Sequence, residues 1–200
     1  MAKFEIKDGI AIIPEGTGEI PNNAFFGCSS LTTVIIPESV TNIGSRAFSD
    51  CSSLTSVVIP ESIKRIGSFA FYGCSSLTSV VIPKSVKTIG NNAFDGCSSL
   101  TSIVISEGVE SIKGRAFFGC SSLTSIFIPK SVTSIGEAVF GGCTSLTSII
   151  VEDGNPIFDS RDNCNAIIET ATKTLIKGCS SPTSITIPRS VTSIRQFAFS

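Results

Sequence analysis

The 200-residue chain contains no histidine and no tryptophan, and it has a single tyrosine and a single methionine. Without histidine, neither a Ser-His-Asp triad nor a Cys-His pair can form, and zinc sites with imidazole ligands are excluded. Carboxylate and lysine chemistry stay open, but no nucleophile has a base partner and no glycine-rich phosphate loop is present. The sequence therefore favours a non-enzymatic protein without a metal or another cofactor.

Charge is scarce and balanced, with 15 Lys and Arg residues against 16 Asp and Glu residues. A nucleic-acid partner is not expected, because phosphate neutralisation needs a basic excess. No apolar run approaches the length of a membrane span. The N-terminal sequence MAKFEIKD carries charges where a signal peptide needs its apolar core. These residues predict either a cytoplasmic chain or one from which a targeting segment has been removed.

A repeat of 23 residues dominates what is present. The cysteines that mark it are Cys28, Cys51, Cys74, Cys97, Cys120 and Cys143. Phenylalanine and leucine recur with the same step, and one unit reads CSSLTSVVIPESIKRIGSFAFYG over residues 51–73. A fixed period with position-specific apolar residues is typical of a solenoid, whose units bury their apolar faces against one another.

The order of residues within a unit predicts its local structure. Leu54, Val57 and Ile59 have the L-x-x-L-x-L spacing of a leucine-rich-repeat strand. Pro60 ends that strand because it has no N–H to donate to a continuing sheet. The residues around Phe71 are expected in a short helical turn. The predicted fold is therefore a β-dominated α/β leucine-rich-repeat solenoid of about eight repeats, with a parallel sheet of short strands.

We expect one solenoid over residues 1–200. Its predicted parts are a partial repeat over 1–27, five regular repeats over 28–142, an irregular repeat with a hairpin insert over 143–178, and a truncated repeat over 179–200. Within the insert, residues 166–169 and 174–177 read as two strands around a Thr-Ala-Thr-Lys turn. Insertions on solenoids often lie on a binding surface, so the insert is a secondary candidate.

The unit LTSVVIPESIKRIGSFAFYGCSS resembles the BspA-like leucine-rich repeats of bacterial surface and secreted proteins. The resemblance covers about residues 8–200, with the pattern I-P-x-S-V-x-x-I-G-x-x-A-F-x-x-C recurring in phase, and the segment from Asn155 is similar to a hairpin insert of that family. It implies a curved solenoid without a catalytic site, at the cell surface or secreted. In some members it implies adhesion to host matrix proteins or other bacteria.

The strand position between the two inward residues should project from the sheet. That column runs from Ile35 to Ile150 and on to Thr186, and hydroxyl residues occupy the position two earlier. The candidate binding residues are Ser56, Val58, Ser79, Val81, Ser102, Val104, Ser125, Phe127 and Ile150. An exposed apolar stripe often marks an interaction site, whereas strand propensity alone also explains valine and isoleucine. The large ring of Phe127 favours a contact.

The eight cysteines raise the alternatives of disulfides and metal ligation. Cysteines of neighbouring units should lie about 5 Å apart, which is within disulfide range. However, their spacing follows the repeat, and thiols stacked in a line do not converge on a metal ion. We therefore expect buried, reduced thiols, while Cys164 and Cys179 break the period and can differ in redox state.

Two functions remain open from the sequence. The first is a protein–protein interaction or adhesion module that presents its sheet face to a partner, such as a host matrix protein or another surface protein. The alternative is a structural spacer or self-assembling repeat unit without a specific ligand. The sequence stops within a unit at Ser200, and an uncapped C-terminal end would expose apolar surface and strand edges. This is expected either of a fragment or of an end that is buried in self-association.

Overall fold

The computed structural model describes residues 4–179, 186–196, 198 and 199. The chain winds into a β-dominated solenoid of about eight turns, built from parallel sheets. Each regular unit contains a strand of the first sheet, a bend, a short strand of the second sheet and a run of hydrogen-bonded turns. One step along the array therefore corresponds to one sequence repeat.

Two parallel sheets run along the solenoid. The strands of the first sheet are Ile10–Ile12, Thr33–Ile35, Ser56–Val57, Ser79–Ile82, Ser102–Ile105, Ser125–Ile128 and Ser148–Val151. The strands of the second sheet are Glu19–Ile20, Asn42–Ile43, Arg65–Ile66, Thr88–Ile89, Ser111–Ile112 and Ser134–Ile135.

Strand pairing in both sheets keeps the repeat register, so that Ser102 pairs with Ser79 and Ile112 with Ile89. The last two strands of the first sheet pair with each other and contact the preceding strand. At the other end, Ile6–Lys7 pairs antiparallel with the first strand of the sheet.

The core consists of inward columns that repeat from unit to unit. Leu54, Ile63 and Ile66 are fully buried, and the corresponding residues of the neighbouring units are buried as well. The phenylalanine rings form a continuous stack from Phe25 to Phe140, with neighbouring ring centroids 5.1–5.7 Å apart and nearly parallel. Because each ring contacts the rings above and below it, burial is shared between units and a single unit cannot fold alone.

The predicted short helical turns are wrong. Within the described residues, helical structure is confined to a 3₁₀ turn at Arg161–Asn163, which lies outside the regular units. In the unit 51–73 the N–H of Ala70 donates within the unit, whereas the N–H of Phe71 donates 2.7 Å to the carbonyl of Ala93 in the next unit. An α-helix uses its N–H groups within its own segment, so this alternating donation excludes one.

Glycine recurs after the second strand because neighbouring backbones approach closely there. A Cβ atom on Gly67 would lie 2.7 Å from the carbonyl carbon of Gly44, and one on Gly90 would lie 2.6 Å from the carbonyl carbon of Gly67. Neither distance is compatible with a side chain unless the units move apart. The equivalent residue is Lys113 in a later unit, so this close approach belongs to the glycine rows and not to the whole column.

The irregular repeat contains the predicted hairpin. Ala166–Glu169 and Thr174–Gly178 pair antiparallel, and Phe158–Asp159 pairs antiparallel with the first of them. Thr174–Gly178 pairs in parallel with Ser193–Ile194 of the last unit. The hairpin therefore joins the last unit to the array through a sheet of its own.

Both faces of this hairpin are buried. Ile167 and Ile176 belong to the main core, whereas Ile168 and Leu175 form a second, smaller cluster with Cys164. A strand that is covered on both faces carries a continuous apolar run instead of an alternating one. The strands of the insert therefore present little surface to a partner.

Candidate interaction surface

The nine predicted residues lie on the outer side of the first sheet. In Ser79–Ile82, burial alternates along the strand, with Val80 and Ile82 buried and the other two residues exposed. The same alternation recurs in Ser102–Ile105 and Ser125–Ile128, because successive side chains of a strand point to opposite faces. The apolar residues among the nine are 48–80% exposed, and they are Val58, Val81, Val104, Phe127 and Ile150.

The register of the first sheet places outward apolar residues side by side. Val81 is paired with Val104, and Phe127 is paired with Ile150. Since neighbouring strands lie about 4.8 Å apart, the outward apolar side chains form one continuous row. This row, the apolar stripe, consists of Ile12, Ile35, Val58, Val81, Val104, Phe127 and Ile150.

The apolar stripe is longer than the column that the sequence predicted. Ile12 lies one repeat before Ile35 and is 64% exposed. The repeat register contained this signal, because the step that leads from Val58 back to Ile35 also reaches Ile12. Thr186, at the far end of the predicted column, is exposed as well. Ser184, in the corresponding hydroxyl column, lies outside the described residues.

Two hydroxyl columns beside the stripe have different roles. The Thr101 hydroxyl donates 3.1 Å to the carbonyl of Thr78, and this bond recurs between threonines along the array. By contrast, the exposed hydroxyls of Ser79, Ser102 and Ser125 make no hydrogen bond with any described residue. We call these three serines the serine row, and their hydroxyls are free to form hydrogen bonds with a partner. The threonine hydroxyls instead donate to backbone carbonyls of the preceding unit.

The apolar stripe and the serine row contain no charged residue. Covering them would desolvate apolar groups and hydroxyls but no ions, which are the costly groups to bury. The largest side chain of the stripe is Phe127, and aromatic residues often dominate the binding energy of interfaces. The surface is thus suited to a partner that contributes apolar and hydrogen-bonding groups.

The cysteine column lies inside the array. All eight cysteines are free, and the Cys97 thiol donates 3.2 Å to the carbonyl of Phe71. Burial raises the pKa of Cys51 to about 12 and that of Cys143 to about 11, so these groups are neutral thiols near pH 7. No group of three or more His, Cys, Asp or Glu side chains within the described ranges is arranged to hold a metal ion.

The parallel strands stack with a step of 23 residues, and apolar residues fill the inward columns. Together these features define a leucine-rich-repeat solenoid. More particularly, the chain belongs to the BspA type leucine rich repeat family, which it matches over residues 9–86 and 64–200. A comparison with curated protein sequences finds no match.

Solved structures with this fold are bacterial leucine-rich-repeat proteins. A leucine rich cell surface protein from Faecalibacterium prausnitzii is 34% identical, with a TM-score of 0.77 over 86% of this chain and 46% of its own. The pneumococcal vaccine antigen PcpA is 23% identical, with a TM-score of 0.65 over 98% of this chain and 58% of its own. The chain therefore spans about half the length of these proteins.

Members of this repeat family are commonly surface proteins that take part in protein interactions. They are typically non-enzymatic scaffolds. The part of the chain that the structure describes contains no helix with the length and apolar character needed to cross a bilayer.

Proposed function

We propose that the chain is a non-enzymatic protein-binding module for adhesion or recognition, and that a protein partner docks on the apolar stripe and the serine row. The observation that carries this proposal is the stripe itself. Seven apolar side chains on consecutive units are exposed, and none of them is required to fill the core. Contiguous exposed apolar surface marks interaction sites on soluble proteins.

Strand propensity accounts for valine and isoleucine in the stripe, but not for every feature of this face. Phe127 exposes 48% of a large ring at a position where a smaller β-branched residue occupies the other rows. The neighbouring serine row supports the same conclusion, because its hydroxyls are free to bond a partner. An interface with an apolar centre and hydrogen-bonding groups beside it has the composition of known protein contacts.

We further propose a location at a bacterial cell surface. The Faecalibacterium prausnitzii protein, at 34% identity, is a cell surface protein. The partner would then be a matrix protein of a host or a surface protein of another cell. A non-enzymatic role agrees with the absence of histidine and with the scaffold character of the family.

Surface plasmon resonance with a panel of purified extracellular-matrix proteins tests this function. We expect at least one of them to bind the chain, and Phe127→Ser to weaken that binding about tenfold. Phe199→Ser is the matched control, because Phe199 is 42% exposed but belongs neither to the apolar stripe nor to the serine row. Equal weakening by both substitutions would contradict docking on the sheet face.

Size-exclusion chromatography with light scattering separates this function from its alternative. We expect a monomer whose size does not depend on concentration. A monomer that binds no protein of the panel would contradict the proposal and favour a structural spacer. A concentration-dependent dimer that Phe127→Ser abolishes would instead identify a second copy of the chain as the occupant of the stripe.

A further inference from the structure

A groove of about 490 Å³ runs along the turns that follow the second sheet, and it shares no residue with the apolar stripe. At one repeat position of this edge, the side chains of successive units alternate in size. Phe26, Tyr72 and Phe118 are aromatic, and Ser49 and Asp95 between them are short and polar. Rings two units apart are separated by about 10 Å. The short residues leave space between the aromatic rings, and we call this space the turn-edge groove.

Polar groups in the floor of the groove are held in place. Ser49 and Asp95 are buried, although most buried residues of the described chain are apolar. The Asp95 carboxylate accepts hydrogen bonds from Asn92 Nδ2 at 2.7 Å and Arg115 Nε at 3.5 Å. The Ser49 hydroxyl donates 3.0 Å to the carboxylate of Asp50. These bonds order the donors and acceptors that a ligand would meet.

Flat groups border the groove. The Arg46 guanidinium carbon lies 5.1 Å from the ring centroid of Phe69, and the ring centroid of Tyr72 lies 5.8 Å from that of Phe69. Further along the array, the Arg115 guanidinium carbon lies 3.8 Å from the ring centroid of Phe118. Stacking on rings orients each guanidinium and keeps its N–H edges available for hydrogen bonds.

Several residues that line this groove are not those the backbone prefers. Phe69, Arg46 and Arg115 have φ angles of 59°, 56° and 56°, at a position where the other units have Asn23, Asn92 and Ala138. Asparagine tolerates this left-handed region, whereas a bulky side chain is strained there. Asp50 has a φ of 60° in a column that is otherwise glycine. Stability of the fold does not explain these substitutions, and strain of this kind clusters at functional sites.

The chemistry of the groove narrows the class of ligand. Two aspartates, Asp50 and Asp95, balance two arginines, Arg46 and Arg115, so neither a polyanion nor a polycation is favoured. The backbone N–H groups of residues 46–50 and 69–73 all donate to carbonyls of the chain. An extended peptide would therefore find no N–H group to pair with at this edge.

We propose that the turn-edge groove binds a neutral oligosaccharide. The C–H faces of the sugar rings pack on Phe26, Phe69 and Tyr72, which are spaced along the array. The hydroxyls of the sugar bond with Asp95 and Asn92 in the floor and with the guanidinium edges. Shape and hydrogen bonds, instead of net charge, then determine which sugar is bound.

The fluorescence of Tyr72 reports directly on this groove, because Tyr72 is the only tyrosine of a chain without tryptophan. The probes are neutral hexasaccharides of β-1,4-glucan, β-1,3-glucan, β-1,4-mannan and β-1,4-xylan, with a heparin hexasaccharide as the charged comparison. We expect a saturable change in fluorescence with at least one neutral probe and none with heparin. A response to heparin alone, or to no neutral probe, would overturn the proposal.

Phe69→Asn is the decisive variant, because it restores the residue that the left-handed position prefers. We expect an unchanged or raised thermal midpoint and an affinity about tenfold weaker by isothermal titration calorimetry. Phe127→Ser, on the sheet face, should leave sugar binding intact, so this test is independent of the protein-docking function. Wild-type affinity in Phe69→Asn would show that the groove is not the site.

Discussion

Phe94 and Phe127 are the same residue type in units that lie two repeats apart, yet they occupy opposite environments. Phe94 is fully buried, and its ring centroid lies 5.1 Å from that of Phe71 and 5.4 Å from that of Phe117. Phe127 is 48% exposed and paired with Ile150 on the sheet face. Position within the repeat, not residue type, therefore separates side chains that hold the array together from those that are free for a partner.

Phe94→Ala tests the buried side of this comparison and should have the largest effect. The substitution opens a cavity within the ring stack, and we expect it to lower the free energy of unfolding by about 3–5 kcal/mol. Urea denaturation followed by circular dichroism measures this change. Phe127→Ala is the control, and equal losses in the two variants would contradict the assigned burial.

Gly67→Ala tests whether the spacing between units limits the packing of the core. The added Cβ would lie 2.7 Å from the backbone of Gly44, so the two units must separate. We expect a loss of about 1–3 kcal/mol, as for other overpacked sites. Gly18→Ala is the matched control, since a Cβ at Gly18 meets no atom within 4 Å. A neutral result at Gly67 would show that the array expands freely.

The stability of the protein at alkaline pH tests whether the cysteine column is buried in the core. Burial raises the pKa of Cys51 from about 9 to about 12. The unfolded chain ionises first, so this stabilisation is complete below about pH 9 and is lost as the pH rises towards the folded pKa. The loss is at most about 1.4 kcal/mol per pH unit for each thiol.

The measurement is the urea midpoint between pH 7 and pH 10.5 in the wild type and in Cys51→Val. We expect the midpoint of the variant to fall less steeply above pH 9, because one ionising thiol has been removed. Identical pH dependence in the two proteins would show that the Cys51 thiol is accessible to solvent in the folded array.

Phe127→Ser tests the exposed side and should have the smallest effect on stability. A surface substitution away from the core changes the free energy of unfolding by about 0.5 kcal/mol or less. Urea denaturation checks this value alongside the binding measurement proposed above. A loss as large as that of Phe94→Ala would place the ring of Phe127 in the core and remove it from the docking surface.

The 23-residue period was sufficient to predict the inward columns and the outward stripe, because a strand has only two faces. It was not sufficient for the turns around Phe71. A short apolar segment with alanine and phenylalanine suits a helical turn, and only the neighbouring unit shows that the Phe71 N–H is bonded to Ala93. Hydrogen bonds between units have no signature within one unit.

The turn-edge groove could not be found in the sequence either. Ser49, Phe69 and Asp95 are departures from the repeat, and each looks like tolerated variation when read along the chain. Stacking the units brings these departures together in a single groove. The reason is geometric, since residues one repeat apart in sequence are close neighbours in a solenoid.

The repeat by itself determined that the chain forms a solenoid and which side chains fill its core, because apolar residues at a fixed period must be buried against their copies in adjacent units. The tertiary structure decided how the backbone turns, how closely the units approach at Gly67, and which variable residues meet at the turn edge. These features depend on contacts between units, and they exist only once the units are stacked in register.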